Sequence, residues 1–300
     1  MRVGEWRTVE LRDLCTRVTS GGTPKRSRLD YYQGDRLGHR WVKSSELRDG
    51  YVRETDERIS DLGLQESAAK LLPPETVLVA MYGATAGRVG LLKTGAAVNQ
   101  AVCALVPDRD SADPGFLFYA LRSQYFELAG KSAGAAQQNL NAKIIKSFPL
   151  VAPNVAMQRQ IAAVLSAFDD LIEINERRIE LLEDLARALY REWFVRLRFP
   201  GHAEVDFTES DVGPIPEGWL VSAFAAIGEF LNGYAFKPSH WGAEGIPIIK
   251  IKELKQGVTT ATPRYGGVDL DSRYFVDPGE LLFSWSADLG VYVWAGERGR

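Results

Sequence analysis

The sequence predicts an α/β (α+β) protein in which two related domains of mixed strands and helices are separated by a long spacer helix of the coiled-coil type. The chain has 300 residues, more than a single hydrophobic core usually serves. Residues 154 to 199 contain neither Gly nor Pro and carry apolar residues at helical spacing. Several stretches before this segment recur after it. The predicted parts are a first domain at 1 to 153, the helix at 154 to 199, a linker at 200 to 212, and a second, shorter domain at 213 to 300.

Short strands and turns dominate the first predicted domain. The stretches ETVLVAMYG and RVGLL are rich in apolar residues bounded by turn residues, which favours strands. An amphipathic pattern predicts a helix over residues 114 to 130, PGFLFYALRSQYFELAG. Pro149 and Pro153 mark the end of this domain, because proline interrupts regular structure.

The predicted spacer helix begins after Asn154, a favourable N-cap residue. Its apolar positions are spaced alternately by four and three, as in a coiled coil. Forty residues of α-helix would be about 60 Å long, so this helix needs a partner along its apolar stripe. Asn175 lies in the stripe, where it either fixes the pairing register or turns outward to solvent. The stripe comprises Ile161, Leu165, Phe168, Ile172, Asn175, Ile179, Leu182, Ala186, Leu189 and Trp193.

An internal repeat relates the two predicted domains. Residues 41 to 50, WVKSSELRDG, align with residues 248 to 257, IIKIKELKQG. Downstream, LLPPETVLVAMYGATAG (71 to 87) corresponds to YFVDPGELLFSWSADLG (274 to 290). Because the pieces recur in the same order with similar gaps, we interpret them as a duplication. Residues shared by the copies are Lys43 and Lys250, Glu46 and Glu253, Leu47 and Leu254, Gly50 and Gly257, and the upstream Trp6 and Trp219.

The glycine-rich stretch VAMYGATAGRVGLL, residues 79 to 92, raises the question of a phosphate-binding loop. Its spacing matches neither the dinucleotide-binding pattern nor the Walker pattern. The second copy retains Gly87 as Gly290 but has no glycine at the positions of Gly83 and Gly90. A phosphate loop depends on such glycines, because they let the backbone approach the ligand closely. We therefore predict a strand, a turn and a second strand.

Composition and charge limit the possible functions. The net charge of −3 is unfavourable on average for a nucleic-acid-binding protein. Between Arg17 and Arg53, however, nine Lys or Arg residues stand against four acidic residues. This cluster either binds a polyanion or forms a solvated surface. No apolar stretch is long enough to cross a membrane, and no secretion signal or disulfide pattern is present, so we expect a cytoplasmic protein with Cys15 and Cys103 reduced.

Several motifs together carry a resemblance to a known family. They are WRTVELRDLCTRVTSGGTP near the start, WVKSSELRDG, the glycine-rich stretch followed by NQAVCALVP, and PIPEGW. The most specific is QQNLNAKIIKSFPLVAPNVAMQRQIAAVLSAFDDLIEINERRIELLEDLARALYREWFV. With these motifs, the chain resembles over its whole length the specificity (S, HsdS) subunit of type I restriction-modification systems.

The resemblance implies a division of labour. Each target-recognition domain would recognise one half of a split double-stranded DNA target, and the spacer helix would set the distance between the halves. The helix would also dock two modification subunits, which hold S-adenosylmethionine, and restriction subunits, which use ATP and Mg, would join them. No cofactor is expected in this chain. Family members carry a second long helix after the second domain, whereas this sequence stops at Arg300, so we expect a truncated form or self-association through the spacer helix.

Candidate DNA contacts combine this resemblance with residue chemistry. Lys and Arg hold phosphates, whereas side-chain amides can bond base edges such as those of adenine. Two alternatives remain open: Lys43 only pairs with Glu46, and Asn139 only caps a helix that starts at Asn141. In the second copy, loop 232 to 245 has little positive charge, as expected if the domains recognise different half-sites. The candidates are Thr23, Lys25, Arg26, Arg28, Arg40, Lys43, Ser44, Tyr82, Thr85, Arg88, Gln137, Gln138, Asn139, Lys250 and Lys252.

No catalytic or metal site is predicted. His39, His202 and His240 lack the spacing of a zinc site, and motifs for methyl transfer, DNA cleavage or NTP hydrolysis are absent from the sequence. We predict a DNA-binding subunit without catalysis of its own, with two alternatives: a nucleotide-using enzyme and a coiled-coil scaffold that binds no DNA. The paired carboxylates of the predicted helix are assigned to its solvated face: Asp169 with Asp170, and Glu183 with Asp184.

Overall fold

The computed structural model describes residues 6 to 33, 37 to 131, 139 to 267, 270 to 286 and 289 to 300. The chain forms two compact units, Met1–Tyr190 and Arg191–Arg300. The division into four parts that the sequence suggests has other boundaries and stays a prediction.

The first unit combines short strands with helices, as the sequence predicts. In chain order its strands and helices are β1 (Arg7–Glu10), β2 (Cys15–Ser20), β3 (Tyr32–Gln33), β4 (His39–Val42), β5 (Gly50–Val52), β6 (Arg58–Ile59), α1 (Asp61–Gln65), β7 (Val77–Ala80), β8 (Val89–Leu92), β9 (Ala97–Val98), β10 (Val102–Pro107), α2 (Pro114–Ser123), α3 (Tyr125–Gly130), α4 (Ala142–Lys146), β11 (Pro149–Ala152) and α5 (Val155–Tyr190).

The main sheet of the first unit has the strand order β2–β10–β7–β8–β5. Its neighbouring strands run antiparallel, except that β5 and β8 are parallel. Hydrophobic clusters cover both faces of β7: Val77 packs with Phe118 of α2, and Leu78 packs with Leu92 on the opposite side. A strand buried on both faces needs a continuous apolar run, which the segment VLVA provides. The predicted strands in ETVLVAMYG and RVGLL are therefore confirmed as β7 and β8.

A second sheet, with the strand order β3–β6–β4–β9, holds the loop that follows β2. Trp41 of β4 is fully buried with Ile59 of β6 and Ala97 of β9. The indole N–H of Trp41 donates a hydrogen bond to the carbonyl of Gly22 at 3.1 Å. This hydrogen bond fixes the start of the loop after β2 against the buried face of the sheet.

The helix predicted over residues 114 to 130 is divided into α2 and α3. The side chain of Asp113 caps α2 by accepting a hydrogen bond from the N–H of Phe116 at 3.0 Å, and Pro114 occupies the first helical position. At Gln124 the backbone leaves helical geometry, with φ −99° and ψ 24°. Leu128 of α3 still packs into the same hydrophobic cluster, so the amphipathic pattern continues across the break.

The long helix α5 is confirmed, and it begins where the sequence predicts. The side-chain oxygen of Asn154 accepts a hydrogen bond from the N–H of Met157 at 3.0 Å, so Asn154 is the N-cap. The helix has 36 residues, which correspond to about 54 Å. Its α-helical part ends at Tyr190, before Trp193, the last residue of the predicted stripe. Trp193 lies in a π-helical segment, Arg191–Val195, whose wider turns change the residue spacing.

One face of α5 packs against the rest of the first unit through polar contacts. Gln158 is buried and bonds backbone groups next to α2 and α5. Asp169 accepts a hydrogen bond from the hydroxyl of Tyr119 at 2.8 Å. Glu173 forms a bidentate ion pair with Arg53 at 2.9 and 3.0 Å. The assignment of Asp169 to the solvated face is therefore wrong, because α2 lies beside this carboxylate.

The apolar stripe of α5 lies on another face of the helix. Its large apolar side chains from Leu165 to Leu189 are between 39% and 64% exposed, and Asn175 among them is exposed as well. Ile161 differs, because it packs against the hydrophobic cluster around α2. The carboxylates assigned to the solvated face further along the helix are exposed and pair with Arg187: Glu183 and Asp184.

The second unit consists of short elements. In chain order they are β12 (Phe207–Thr208), β13 (Ile215–Pro216), α6 (Phe224–Ile227), β14 (Ile246–Pro247), α7 (Ile251–Gln256), β15 (Arg264–Tyr265), β16 (Leu281–Ser284) and β17 (Gly290–Val293). Each of three antiparallel pairs, β12–β13, β14–β15 and β16–β17, forms a separate small sheet. Trp219 stacks on Phe199 with 5.6 Å between ring centroids.

One hairpin in each predicted copy has the same pairing of strands. The sequence alignment places Leu281 at the position of Leu78 and Val293 at that of Gly90. Leu78 pairs with Gly90 across β7 and β8, and Leu281 pairs with Val293 across β16 and β17. The two hairpins therefore have the same register and the same number of residues between paired positions. Duplication of the complete domains stays a prediction.

A capped turn recurs as well. The carboxylate of Glu46 accepts a hydrogen bond from the backbone N–H of Lys43 at 2.7 Å. The carboxylate of Glu253 accepts the equivalent bond from Lys250 at 3.2 Å. The shared Lys and Glu residues of the repeat thus preserve a turn at the start of a short helix.

Candidate nucleic-acid interface

The turn between β7 and β8, residues 81 to 88, forms the first part of the candidate interface. Gly83 and Gly87 have positive φ values of 77° and 85°, which glycine adopts without steric strain. Val79 pairs with Val89 at the base of the hairpin, so the predicted strand, turn and strand are confirmed. These glycines serve the turn itself.

A second turn, at residues 43 to 50, packs against the first. The hydroxyl of Thr85 donates a hydrogen bond to the carbonyl of Ser44 at 3.0 Å, although 41 residues separate them. The guanidinium of Arg88 pairs with Asp49 and lies 4.5 Å from the ring centroid of Tyr125. The fold therefore brings the candidates Ser44, Thr85 and Arg88 together at one end of the main sheet.

Lys43 begins the second turn. One carboxylate oxygen of Glu46 accepts its backbone N–H, and the other accepts the N–H of Asp56 at 2.8 Å. The ammonium group of Lys43 pairs with Glu57 at 2.9 Å. The alternative in which the Lys43 side chain pairs with Glu46 is therefore wrong, because Glu46 is occupied by backbone donors.

Arg26, in the loop after β2, lies over two aromatic rings. Its guanidinium carbon is 4.6 Å from the ring centroid of Tyr32 and 5.1 Å from that of Trp41. Its nitrogens bond both carboxylate oxygens of Glu57, at 2.5 and 3.3 Å. Arg26 and Lys43 therefore share one carboxylate, which places these two candidates side by side.

Carboxylates accompany other candidate cations too. Arg28 bonds both oxygens of Asp30 at 2.9 and 2.6 Å, and Arg40 pairs with Glu54 at 2.6 Å. Acidic residues at 54, 56 and 57 follow directly after the stretch in which we counted an excess of positive charge. The sequence count therefore overestimates the positive charge of this surface.

The remaining candidates near the basic loop differ in their contacts. The hydroxyl of Thr23 bonds the side chain of Gln100. Lys25 is exposed, and Tyr82 at the glycine turn is 40% exposed. Lys25 and Tyr82 thus present polar groups to solvent without a rearrangement.

The amide candidates lie before α4. Asn141 caps this helix itself, because its side-chain oxygen accepts the N–H groups of Lys143 and Ile144 at 2.9 Å each. The alternative in which Asn139 is the cap is therefore wrong, and Asn139 is exposed. Gln137 and Gln138 lie outside the described residues.

The candidates of the second unit have different surroundings. The ammonium of Lys250 lies 4.7 Å from a ring centroid of Trp241, and Lys252 is exposed. Around them the loop at 232 to 245 contributes aromatic rather than basic side chains. Phe236 and His240 each have the ring of Tyr265 nearby, at 5.4 and 6.1 Å between centroids.

Sequence reasoning missed three residues that shape the site. Glu57, Tyr32 and Trp41 hold Arg26, and they reach it only because β3 and β4 both pair with β6. A signal was present, since acidic residues cluster directly before β6 and could face a basic strand across a hairpin.

Other chemistry has little support in the described parts of the chain. Within them, no group of three or more His, Cys, Asp or Glu side chains could hold a metal ion. Burial raises the pKa of the Cys15 thiol to about 12, and burial does the same for Cys103. Thiols with such pKa values are poor nucleophiles. Across the described residues, no helix is both long and apolar enough for a membrane span.

Comparison with known proteins gives the family. The family model for the type I restriction modification DNA specificity domain matches residues 4–184. The chain is similar to the type I restriction enzyme MjaIX specificity subunit of Methanocaldococcus jannaschii, with 25% identity over 85% of this chain and 59% of the relative. The MjaVIII specificity subunit of the same organism is 25% identical over 72% of this chain and 48% of its own length.

A solved structure supports the same fold. The S subunit of a type I restriction-modification system from M. genitalium superposes with a TM-score of 0.54, at 17% identity, over 83% of this chain and 60% of that one. The chain thus spans less than two thirds of the length of these relatives. Because the family model covers more than half of the 300 residues, including both turns of the candidate interface and most of α5, the chain belongs to the family of type I restriction modification DNA specificity domains.

Proposed function

We propose that this chain is a DNA-recognition subunit of a type I restriction-modification complex. The first unit contacts one segment of duplex DNA through the glycine turn, the Lys43 turn and the loop carrying Arg26. The observation that carries this proposal is the convergence of Arg26, Lys43, Ser44, Thr85 and Arg88, which come from three separate stretches of sequence.

The chemistry of these groups suits a double-stranded nucleic acid. Guanidinium and ammonium groups hold phosphates and set the register of a protein on the duplex. Hydroxyl groups such as those of Tyr82 and Thr85 can bond either phosphates or base edges. In the second unit, Lys250 and Lys252 stand at the equivalent turn beside an aromatic loop, which suits a second half-site of different sequence.

The helix α5 extends the proposal to a bipartite target and to partner subunits. A stiff helix of 36 residues can set a fixed distance between two DNA-binding regions. Its exposed apolar stripe suits helices of the modification subunits, which would hold S-adenosylmethionine, and restriction subunits with ATP and Mg would join through the assembled complex. In this proposal the chain itself catalyses no reaction and acts on DNA in the cytoplasm.

A domain exchange tests the recognition role directly. Residues 20 to 150 are replaced by the equivalent residues of another family member, and methylated bases are mapped by single-molecule sequencing of genomic DNA. We expect one half of the methylated sequence to change while the other half stays the same. An unchanged methylation map in a strain that expresses the exchanged chain would refute the proposal.

DNA binding by the complex tests the basic loop. The assembled modification complex should bind DNA in a salt-dependent manner that requires this chain. Arg26→Ala combined with Arg28→Ala should weaken binding to all sequences and reduce the slope of log affinity against log salt by up to about 1.8, since each phosphate contact contributes about 0.9. Arg109→Ala is a control for the loss of one surface arginine, and each single variant is compared with it, because Arg109 pairs with Glu75 at the end of β7 remote from the glycine turn.

The exposed stripe of α5 favours a second candidate partner, another copy of this chain. Two copies that pair along the stripe would form a dimer with two copies of the first unit. Ile179→Glu should abolish such a dimer, because a charge at the centre of a paired apolar stripe is costly. Sedimentation equilibrium of the isolated chain gives the answer, and a monomer at all concentrations would rule this candidate out.

A further inference from the structure

Glu57 holds two of the cations that the proposed function assigns to DNA. Its Oε2 accepts a hydrogen bond from Arg26 at 2.5 Å, and its Oε1 accepts one from Lys43 at 2.9 Å and a longer one from Arg26 at 3.3 Å. The hydrogen bond from Arg26 lowers the pKa of Glu57 more than burial raises it. Glu57 is therefore ionised at neutral pH, and its carboxylate forms ion pairs with both Arg26 and Lys43.

The geometry of this cluster is fixed by its surroundings. The rings of Tyr32 and Trp41 lie against the Arg26 guanidinium, which limits the directions in which it can turn. Trp41 is 1% exposed, so this support is rigid. The Lys43 backbone is held by the Glu46 carboxylate. The side chains of Arg26 and Lys43 thus converge on one position, which the Glu57 carboxylate occupies.

A carboxylate and a DNA phosphate offer these donors equivalent groups. Both are anionic and present two oxygens to a guanidinium fork, and both accept a third bond from an ammonium group. The Arg26 side chain is 54% exposed, so a phosphate can approach it from solvent. A phosphate and Glu57 would compete for the same donors.

We propose that Glu57 is an internal competitor of the DNA backbone, which phosphate must displace from Arg26 and Lys43 before the first unit can engage a duplex. This inference rests on the proposed function. Because phosphates are the same at every site, the competition weakens binding to all sequences equally. The protein thereby spends less time on unrelated DNA, and contacts with base edges supply a larger share of the binding free energy that remains at the target, while the ratio of the two affinities is unchanged.

The test compares two variants that change the charge by the same amount. Glu57→Gln removes the competitor, and Glu75→Gln removes the partner of Arg109 at the other end of β7. Affinity for a duplex without the target site is measured with the modification complex at low and high salt. We expect Glu57→Gln to tighten binding about two- to fivefold, which is the factor an exposed ion pair contributes. Glu75→Gln should tighten it less, and the difference should shrink as salt rises.

A double-mutant cycle ties the effect to Arg26. In an Arg26→Ala background, Glu57→Gln should tighten binding by a smaller factor than in the parent, because only Lys43 remains to be released. Glu57→Ala serves as a second variant, and each variant is used only if its melting temperature matches that of the parent. Equal effects of the substitutions at Glu57 and Glu75 in the parent chain would overturn the inference.

The outcomes separate this inference from the proposed function. A parent complex that binds no DNA, or binds it equally well without this chain, would refute the proposed function. A parent complex that requires this chain for DNA binding, but gains nothing from the loss of Glu57, would refute only the role of Glu57 as a competitor.

Discussion

The hairpins β7–β8 and β16–β17 have the same strand register and differ in their environment. Leu78 pairs with Gly90 in the first unit, and the equivalent residues Leu281 and Val293 pair in the second. The side chain of Leu78 is fully buried, whereas Leu281 is 71% exposed. The two hairpins thus have the same hydrogen-bonding register but different packing around it. The register of a hairpin depends on its turn and strand lengths, which can persist without a common core.

The loops next to the capped turns differ in another way. In the first unit this loop carries Arg26 and Arg28 with carboxylate partners. In the second unit it carries an aromatic group around Phe236 and His240. Under the proposed function, this difference in loop chemistry suits the recognition of two different half-sites.

The largest difference between the two hairpins should appear when a leucine is truncated. Leu78→Ala should lower the free energy of unfolding of the first unit by about 3 kcal/mol, since it removes a fully buried side chain from the core. Leu281→Ala should change that of the second unit by less than about 0.5 kcal/mol, because the side chain is exposed. Denaturant unfolding followed by hydrogen exchange in each unit measures both values. Similar losses at the two positions would show that the second hairpin is buried in the native protein.

Exchanging Gly90 and Val293, the partners of the two leucines, should have the next largest effect on the free energy of unfolding. A Cβ atom at Gly90 would lie 2.8 Å from Leu47 and 3.0 Å from Val52, so Gly90→Val should cost about 2 kcal/mol through overpacking. Val293→Gly should cost about 1 kcal/mol or less, through loss of β propensity at an exposed position. Thermal unfolding of the two variants gives the comparison. A neutral Gly90→Val variant would mean that Leu47 can move aside.

Removal of the capping glutamates, Glu46 and Glu253, should lower the stability of the two units by similar amounts. Glu46→Ala leaves the N–H groups of Lys43 and Asp56 without their acceptor, so it should cost about 1.5 kcal/mol. Glu253→Ala should cost about 1 kcal/mol, because its bond to Lys250 is longer. Thermal melts of both variants provide the measurement. In each unit, substitution by Gln keeps an acceptor oxygen and should cost less than half as much, whereas equal costs for Gln and Ala would argue against the cap.

Local signals were sufficient to predict much of the fold. Each of these signals depends only on residues that are neighbours in the sequence. The apolar run predicted β7, Asn154 predicted the start of α5, and apolar periodicity predicted the helix itself. The partners of the candidate cations were not predicted, because Glu57 reaches Arg26 only after β3 and β4 pair with β6. Asp169 was misassigned for the same reason, since helical periodicity does not indicate which face meets α2.

The two units should also differ in their response to mild alkali. Both cysteines lie in the first unit, where burial raises the pKa of each thiol to about 12. In the unfolded chain a thiol ionises near its ordinary pKa, so above that pH the unfolded state gains stability relative to the folded one. Stability from this source is fully present below about pH 8.5 and is lost as pH rises toward 12. Between pH 8 and 9, the first unit should lose about 1.4 kcal/mol, roughly 0.7 kcal/mol from each thiol.

Substitution of the thiols separates this effect from other alkaline titrations. Cys15→Ala combined with Cys103→Ala removes both groups, so the loss between pH 8 and 9 should disappear from the first unit in denaturant unfolding. The second unit contains no cysteine, so its stability over this range should be the same in the parent and the variant. If the first unit of the double variant still lost stability at the same rate, the thiols would not be the source of the loss. A tyrosine cannot replace them over this range: burial and bonds to Tyr51 and Asp169 raise the pKa of Tyr119 strongly, but in the unfolded chain this phenol ionises only near pH 10.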